Sequence, residues 1–182
     1  MTSFNAEEML PSSNQPVNNS SPAACDGIME SNIQPEKLSD VIDALAALLR
    51  DSVDIHRCSA ARALGEIKSD QATEVLIEAL LDEDEDVRTD AAEALAVIGD
   101  KRASQQLLEN LIGDPCSEVK MAAVGALTKM KTTEVIPWLK RLLISHDEEI
   151  TWDEDEFYEG GWDSWVDLQI AAIKALAEFG AE

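Results

Sequence analysis

One thirteen-residue pattern recurs four times in this chain, and few folds tolerate that. Residues 87–99, VRTDAAEALAVIG, place Val87, Ala91, Ala94, Leu95 and Ile98 on one face of an amphipathic helix. Gly99 follows the last apolar residue, where a left-handed C-cap is easiest for a residue without Cβ. With Leu95 as anchor, the same slots are filled around Leu64, Leu127 and Leu176. The first three anchors are almost evenly spaced, and the last stands further off. Such an internal repeat describes an architecture built from stacked copies of one unit.

Each anchor helix has a partner helix. Leu48 precedes Leu64, and Leu80, Leu111 and Leu143 follow Leu64, Leu95 and Leu127, always at the same interval. Four helix pairs follow, at 37–67, 71–98, 102–130 and 133–180, with turns at 68–72 and 100–103. A single pair cannot bury its apolar face alone, so stacked neighbours must complete the core. The polar slots repeat too: Asp86 with Arg88, Glu118 with Lys120, and Asp167 before Gln169. The acid suits a helix N-terminus, and the base is expected to pair with an acid of the next repeat. His56 occupies the slot of Val87 and is expected to pack in the core.

The pattern D-V-R-x-x-A-A-x-A-L-x-x-I-G at 86–99 resembles the short HEAT-like repeats named after phycobilisome lyases. The resemblance covers roughly positions 37–182. It implies an all-α chain: an α/α superhelix, a HEAT-like solenoid of about four helix pairs, whose second helices line the concave side. It implies less about function, because a fold does not fix one. The iron-containing hydroxylases built from these repeats hold metal through His-Glu dipeptides. Here His56 precedes Arg57 and His146 precedes Asp147, so the resemblance carries no metal site.

Other chemistry is equally hard to find. There is no Gly-rich phosphate loop, no GxSxG and no Cys–His pair suggested by spacing. Asp82, Asp84, Asp86, Asp90 and Glu93 fit positions 1, 3, 5, 9 and 12 of a calcium loop, but Val87 stands where the turn needs Gly. No catalytic residue, metal or cofactor is expected. Cys25, Cys58 and Cys116 are widely spaced and odd in number, so a disulfide framework is not expected. With no leader pattern and no apolar run long enough for a membrane span, a cytoplasmic protein is expected.

The net charge of −23 is unevenly spread: −5 over residues 1–36, −7 over 37–144, −10 over 145–167 and −1 over the rest. Clustered Lys and Arg, which phosphate backbones and anionic membranes need, are missing. Nucleic acid and membrane are poor partners.

Two segments depart from the repeat. Residues 1–34 are rich in Ser, Asn, Pro and Gln and are expected to be a disordered tail ahead of a repeat domain at 35–182. In the last pair, about 17 residues beyond the usual spacing make an insert at 145–167. It holds Trp152, Trp162, Trp165, Phe157, Tyr158 and ten carboxylates, with no Lys or Arg. Its aromatics could cap the open end of the stack. They could instead dock a protein with a basic or mixed surface, aromatics supplying contact area and acids steering. Positions opposite the core face are Cys58, Arg62 and Glu66; Thr89, Glu93 and Val97; Met121, Gly125 and Lys129; and Ile170, Lys174 and Glu178. A groove floored by Met121 and Ile170 and rimmed by the insert is the expected site. The function expected is a non-catalytic scaffold, adaptor or assembly chaperone. The alternatives are a bilin lyase or isomerase subunit, or an accessory domain in metalloenzyme maturation.

Overall fold

The structure is a computed structural model, and it describes residues 35–144, 149–152 and 162–180. The tail at 1–34 and most of the insert, with Phe157 and Tyr158, lie outside the described residues. Among the described residues are eight α-helices and no strand. They run α1 Pro35–Leu48, α2 Asp54–Ile67, α3 Thr73–Ala79, α4 Glu85–Ile98, α5 Ser104–Gly113, α6 Ser117–Lys129, α7 Ile136–Ile144 and α8 Trp162–Phe179. The second helices α2, α4, α6 and α8 pack on one another in sequence, each also covered by its own first helix.

The anchor slots explain the packing. Leu64, Leu95 and Leu127 are fully buried, and Leu176 is 8% exposed. At the slot one helical turn earlier, Ala60, Ala91, Ala123 and Ala172 are all fully buried. Alanine suits that slot because it lets helices approach closely while losing no side-chain entropy. The tightest approach is at Gly65, where a Cβ would fall 2.9 Å from Cα and Cβ of Ala94 on the next second helix. Helix ends follow the sequence. Asp84 caps α4 by accepting from the amides of Asp86 and Val87 at 3.0 and 3.2 Å. Gly99 closes the helix at φ 76°. Short 3₁₀ turns, Asp70–Ala72 and Lys101–Ala103, make the expected connections.

Successive units are joined by buried ion pairs. Arg57 donates Nε and Nη2 to the two carboxylate oxygens of Asp82 at 2.9 and 2.8 Å. Its Nη1 holds the Asp51 carbonyl of its own turn at 3.1 Å. Arg88 repeats the arrangement toward Asp114 and the Asp82 carbonyl. The partner of Arg88 is thus the turn acid Asp114, rather than the slot acid Glu118, which stays exposed. The fork of the guanidinium reaches across the junction only to the turn.

Two positions differ from expectation. His56 is exposed, 3.4 Å from Asp51, rather than packed in the core. The Val87 slot faces the preceding unit, and among the described residues nothing precedes the first one. Cys58, expected opposite the core, is buried, and burial with Asp90 alongside pushes its thiol up to about 11. Its slot lies at the edge that the next second helix covers.

Candidate docking surface

The outward slots of α4 and α6 enclose a groove of about 500 Å³ lined by Thr89, Glu93, Val97, Met121, Gly125 and Lys129 among others. These six are the outward positions named from helical spacing, one turn apart on each helix. Ala96, Ala122 and Ala126 contribute to the lining as well. Gly125 opens the middle of the groove, since a Cβ there would meet nothing within 4 Å. Val97 is 42% exposed, so the floor is apolar and accessible, while Glu93, Glu118 and Lys129 supply charge around it. Ile170, on α8, is 41% exposed but is not among the lining residues.

The described part of the insert packs inward. Ile150 is buried, and the Thr151 amide donates to the Ile112 carbonyl at 2.8 Å, which ties the segment to the end of α5. Trp152 meets Trp165 edge to face, with ring centroids 4.5 Å apart and planes at 69°. Trp165 is only 8% exposed and Trp152 is half-buried. Both indoles pack against the core beside α6 and α8. Trp162 begins α8; its side chain, with those of Phe157 and Tyr158, lies outside the described residues.

Beneath Trp152 sits a residue whose role the sequence did not announce. Lys120 occupies the slot of Arg57 and Arg88 but is fully buried, and its contacts among the described residues are to carbonyls rather than to a carboxylate. Its ammonium donates to the carbonyls of Leu111 and Ile112 at 2.9 and 3.4 Å, and lies 5.4 Å from the centroid of the Trp152 ring. Burial pulls its pKa down to about 8, with Asp114 partly opposing. The available signal was negative: the insert begins where the next turn acid should stand.

The acid run at 82–93 is dispersed in the structure. Asp82 pairs with Arg57, Asp84 caps α4, Asp90 accepts from Arg62 at 2.8 Å, and Glu93 sits in the groove. Among the described residues no three His, Cys, Asp or Glu side chains converge as metal ligands. Nor is any described helix long and apolar enough to cross a membrane.

The family model for HEAT repeats matches residues 42–112 and 84–153, overlapping windows that together span most of the helical region just described. The chain belongs to the HEAT-repeat family. No curated protein matches it. Among solved structures, this HEAT protein is similar to the complex of CpcE and CpcF of phycocyanin lyase from Nostoc sp. PCC7120. The TM-score is 0.56 at 21% identity, covering 90% of this chain and 70% of the other. At that identity the likeness is one of fold. It places the HEAT pairs in an α/α stack and leaves the groove chemistry to be argued from the residues themselves.

Proposed function

We propose that this HEAT protein is a non-catalytic scaffold or assembly factor that binds a partner protein on the face formed by its second helices. The observation that carries this reading is the Val97–Met121 groove: accessible, apolar at its floor and charged around it, as protein-binding surfaces are. The insert, with ten carboxylates and no base, would steer a partner of basic or mixed surface toward it. Phe157, Tyr158 and Trp162 remain the insert aromatics proposed for direct contact. Trp152 and Trp165 act by holding the base of the insert in place. The setting is proposed to be cytoplasmic, with neither nucleic acid nor membrane as partner. Capture of a native partner from cytosol should be lost with Met121→Glu, while the melting temperature stays within a few degrees. Equal capture by the variant would refute the groove.

A second reading is supported by the likeness to a phycocyanin lyase complex. In it the chain is one subunit of a bilin lyase or isomerase and acts only with its partner subunit. Bilin absorbance appearing when the protein is mixed with a bilin donor and the captured partner would favour it; a scaffold gives none.

A further inference from the structure

The arginines at the repeat junctions direct their donors onto the chain itself, and Arg62 departs from that. Arg57 and Arg88 each give Nε and Nη2 to a turn carboxylate and Nη1 to backbone carbonyls. Arg102 engages all three nitrogens, on Asp100, Glu74 and the Asp70 carbonyl. Arg62 gives only Nε, to Oδ1 of Asp90 at 2.8 Å, and among the described residues its Nη1 and Nη2 have no partner. Its side chain is 70% exposed on the outward face of α2, in the slot that Glu93 fills on α4 at the groove.

Asp90 shows that this placement is not a by-product of the repeat. Its side chain is 6% exposed, on a slot where the other second helices carry Ser59, Ala122 and Ala171. Stacking therefore asks for no charge there. Oδ1 meets Arg62, while Oδ2 is buried with only the Cys58 thiol, a weak donor, alongside. A buried carboxylate oxygen left without a good donor destabilises the fold. What the acid supplies is a fixed guanidinium, anchored below the surface at Nε and open to solvent at both Nη groups.

The surroundings say what those donors take. Asp90 already balances the charge of Arg62, and Glu66 and Glu93 stand exposed nearby, one turn along α2 and in the same slot of α4. The field of Glu93 reaches the guanidinium, whose ion pair among the described residues is with Asp90 alone. A carboxylate or phosphate arriving there meets an excess of negative charge. A backbone carbonyl does not. Arg57, Arg88 and Arg102, each balanced by a carboxylate, likewise turn a spare donor onto a carbonyl. In a folded partner, unpaired carbonyls cluster at the C-terminus of a helix. Basic residues are favoured in that last turn, and they suit Glu66 and Glu93.

We infer that Arg62, with Glu66 and Glu93, is a docking site for the C-terminal end of a partner's helix that carries Lys or Arg in its last turn. The Nη donors cap the free carbonyls of that helix, and the two acids meet its cations. Asp90 is a positioning residue that acts through Arg62. This rests on the reading of the chain as a partner-binding scaffold, and it adds a polar anchor beside the groove.

The test titrates the full isotope-labelled chain with C-terminally amidated helical peptides of about five turns. Binding is followed at the Arg62 side chain and at the Glu66 and Glu93 amides by nuclear magnetic resonance. One peptide has Lys in its last turn, one has Glu there instead, and one is the Lys peptide broken by a central Pro. The first should bind, and the other two should bind at least about tenfold more weakly. Arg62→Lys keeps a cation beside Asp90 but removes the fork, and should weaken the first peptide about tenfold or more. Asp90→Ala should weaken it similarly while melting no lower than the wild type. Asp90→Asn, which still accepts from Nε, should restore binding. A pair that only holds the stack predicts the reverse, earlier melting with unchanged binding, and that result would overturn the inference. Equal or tighter binding of the Glu peptide, which would make the ligand a carboxylate, overturns it too, as does no binding by any peptide. Met121→Glu should leave the first peptide unaffected. Loss on Met121→Glu with no loss on Arg62→Lys would sink the inference while leaving the scaffold reading intact.

Discussion

The guanidinium of Arg88, on α4, donates Nε to Oδ2 of Asp114 at 2.7 Å and Nη2 to Oδ1 at 2.9 Å, across the junction between two repeats. The carboxylate also accepts from the amide of Cys116 and from Asn110, so the pair is one node of a wider network. The side chains are 12% and 4% exposed, which sets the pair apart from a solvated bridge.

Breaking such a pair leaves a charge buried without its counterion. Arg88→Ala should cost about 3–5 kcal/mol, measured by urea unfolding. The exposed Arg50–Glu78 pair, 2.6 Å apart at 62% and 66% exposure, should be worth at most about 1 kcal/mol. Similar costs for Arg88→Ala and Arg50→Ala would mean that the junction pairs are ornamental and the helices alone hold the stack.

Gly65 and Gly125 separate close approach from helix propensity. A methyl at Gly65 meets Ala94 backbone at 2.9 Å, and two helices must move apart to admit it. Gly65→Ala should destabilise by about 1–3 kcal/mol, as overpacking does, despite its better propensity. Gly125→Ala meets nothing and should gain up to about 1 kcal/mol. Thermal melts of the two variants should move in opposite directions.

Much of this was legible in the sequence because a repeat constrains every copy at once. The anchors and the Ala slots must be apolar in each unit, so Leu64, Leu95, Leu127 and Leu176 announce both helix pairs and their stacking. The groove positions from Thr89 to Lys129 were legible for the same reason, as the slots opposite the anchors. What the sequence could not display was the difference between a slot and its surroundings. His56 has the Val87 slot but no preceding unit to cover it. Cys58 has an outward slot that α4 overlaps. Lys120 has the slot of an arginine, yet its hydrogen bonds among the described residues go to carbonyls. Ends and insertions change the neighbours of a residue while leaving its register intact.

Lys120 supplies a pH signature. Its folded pKa, about 8, lies below the ordinary lysine value of 10.5, so the folded chain binds fewer protons than the unfolded one between those values. Stability from this group therefore rises with pH across that window, and below it the buried charge is a standing cost. Lys120→Met should be as stable as the wild type or more so at pH 7, by up to about 4 kcal/mol. The gap should shrink by about 2 kcal/mol as pH climbs from 8 to 10. The thiols of Cys58 and Cys116, which burial pushes up, act in the opposite sense at high pH but are common to both proteins. Denaturant midpoints at pH 7, 8 and 9 decide it; a gap that does not change with pH would rule out Lys120 as the titrating group.

The Trp152–Trp165 contact decides how the insert contributes to stability. Trp165 is core to the last unit, so Trp165→Ala should cost about 3–5 kcal/mol, as large aromatic truncations do. Trp152→Ala should cost less, because its ring is half-buried and stacks against Trp165 and the Lys120 ammonium. The edge-to-face geometry predicts a coupling of about 0.5–1.5 kcal/mol in a double-mutant cycle between them. Lys120→Met should reduce the cost of Trp152→Ala, since the cation under the ring is gone. If the two Trp variants prove additive and Trp165→Ala leaves the melt unchanged, the indoles do not pack against the core. Docking through the insert would then have to be sought at Trp152 and Trp165 as well as at Phe157, Tyr158 and Trp162.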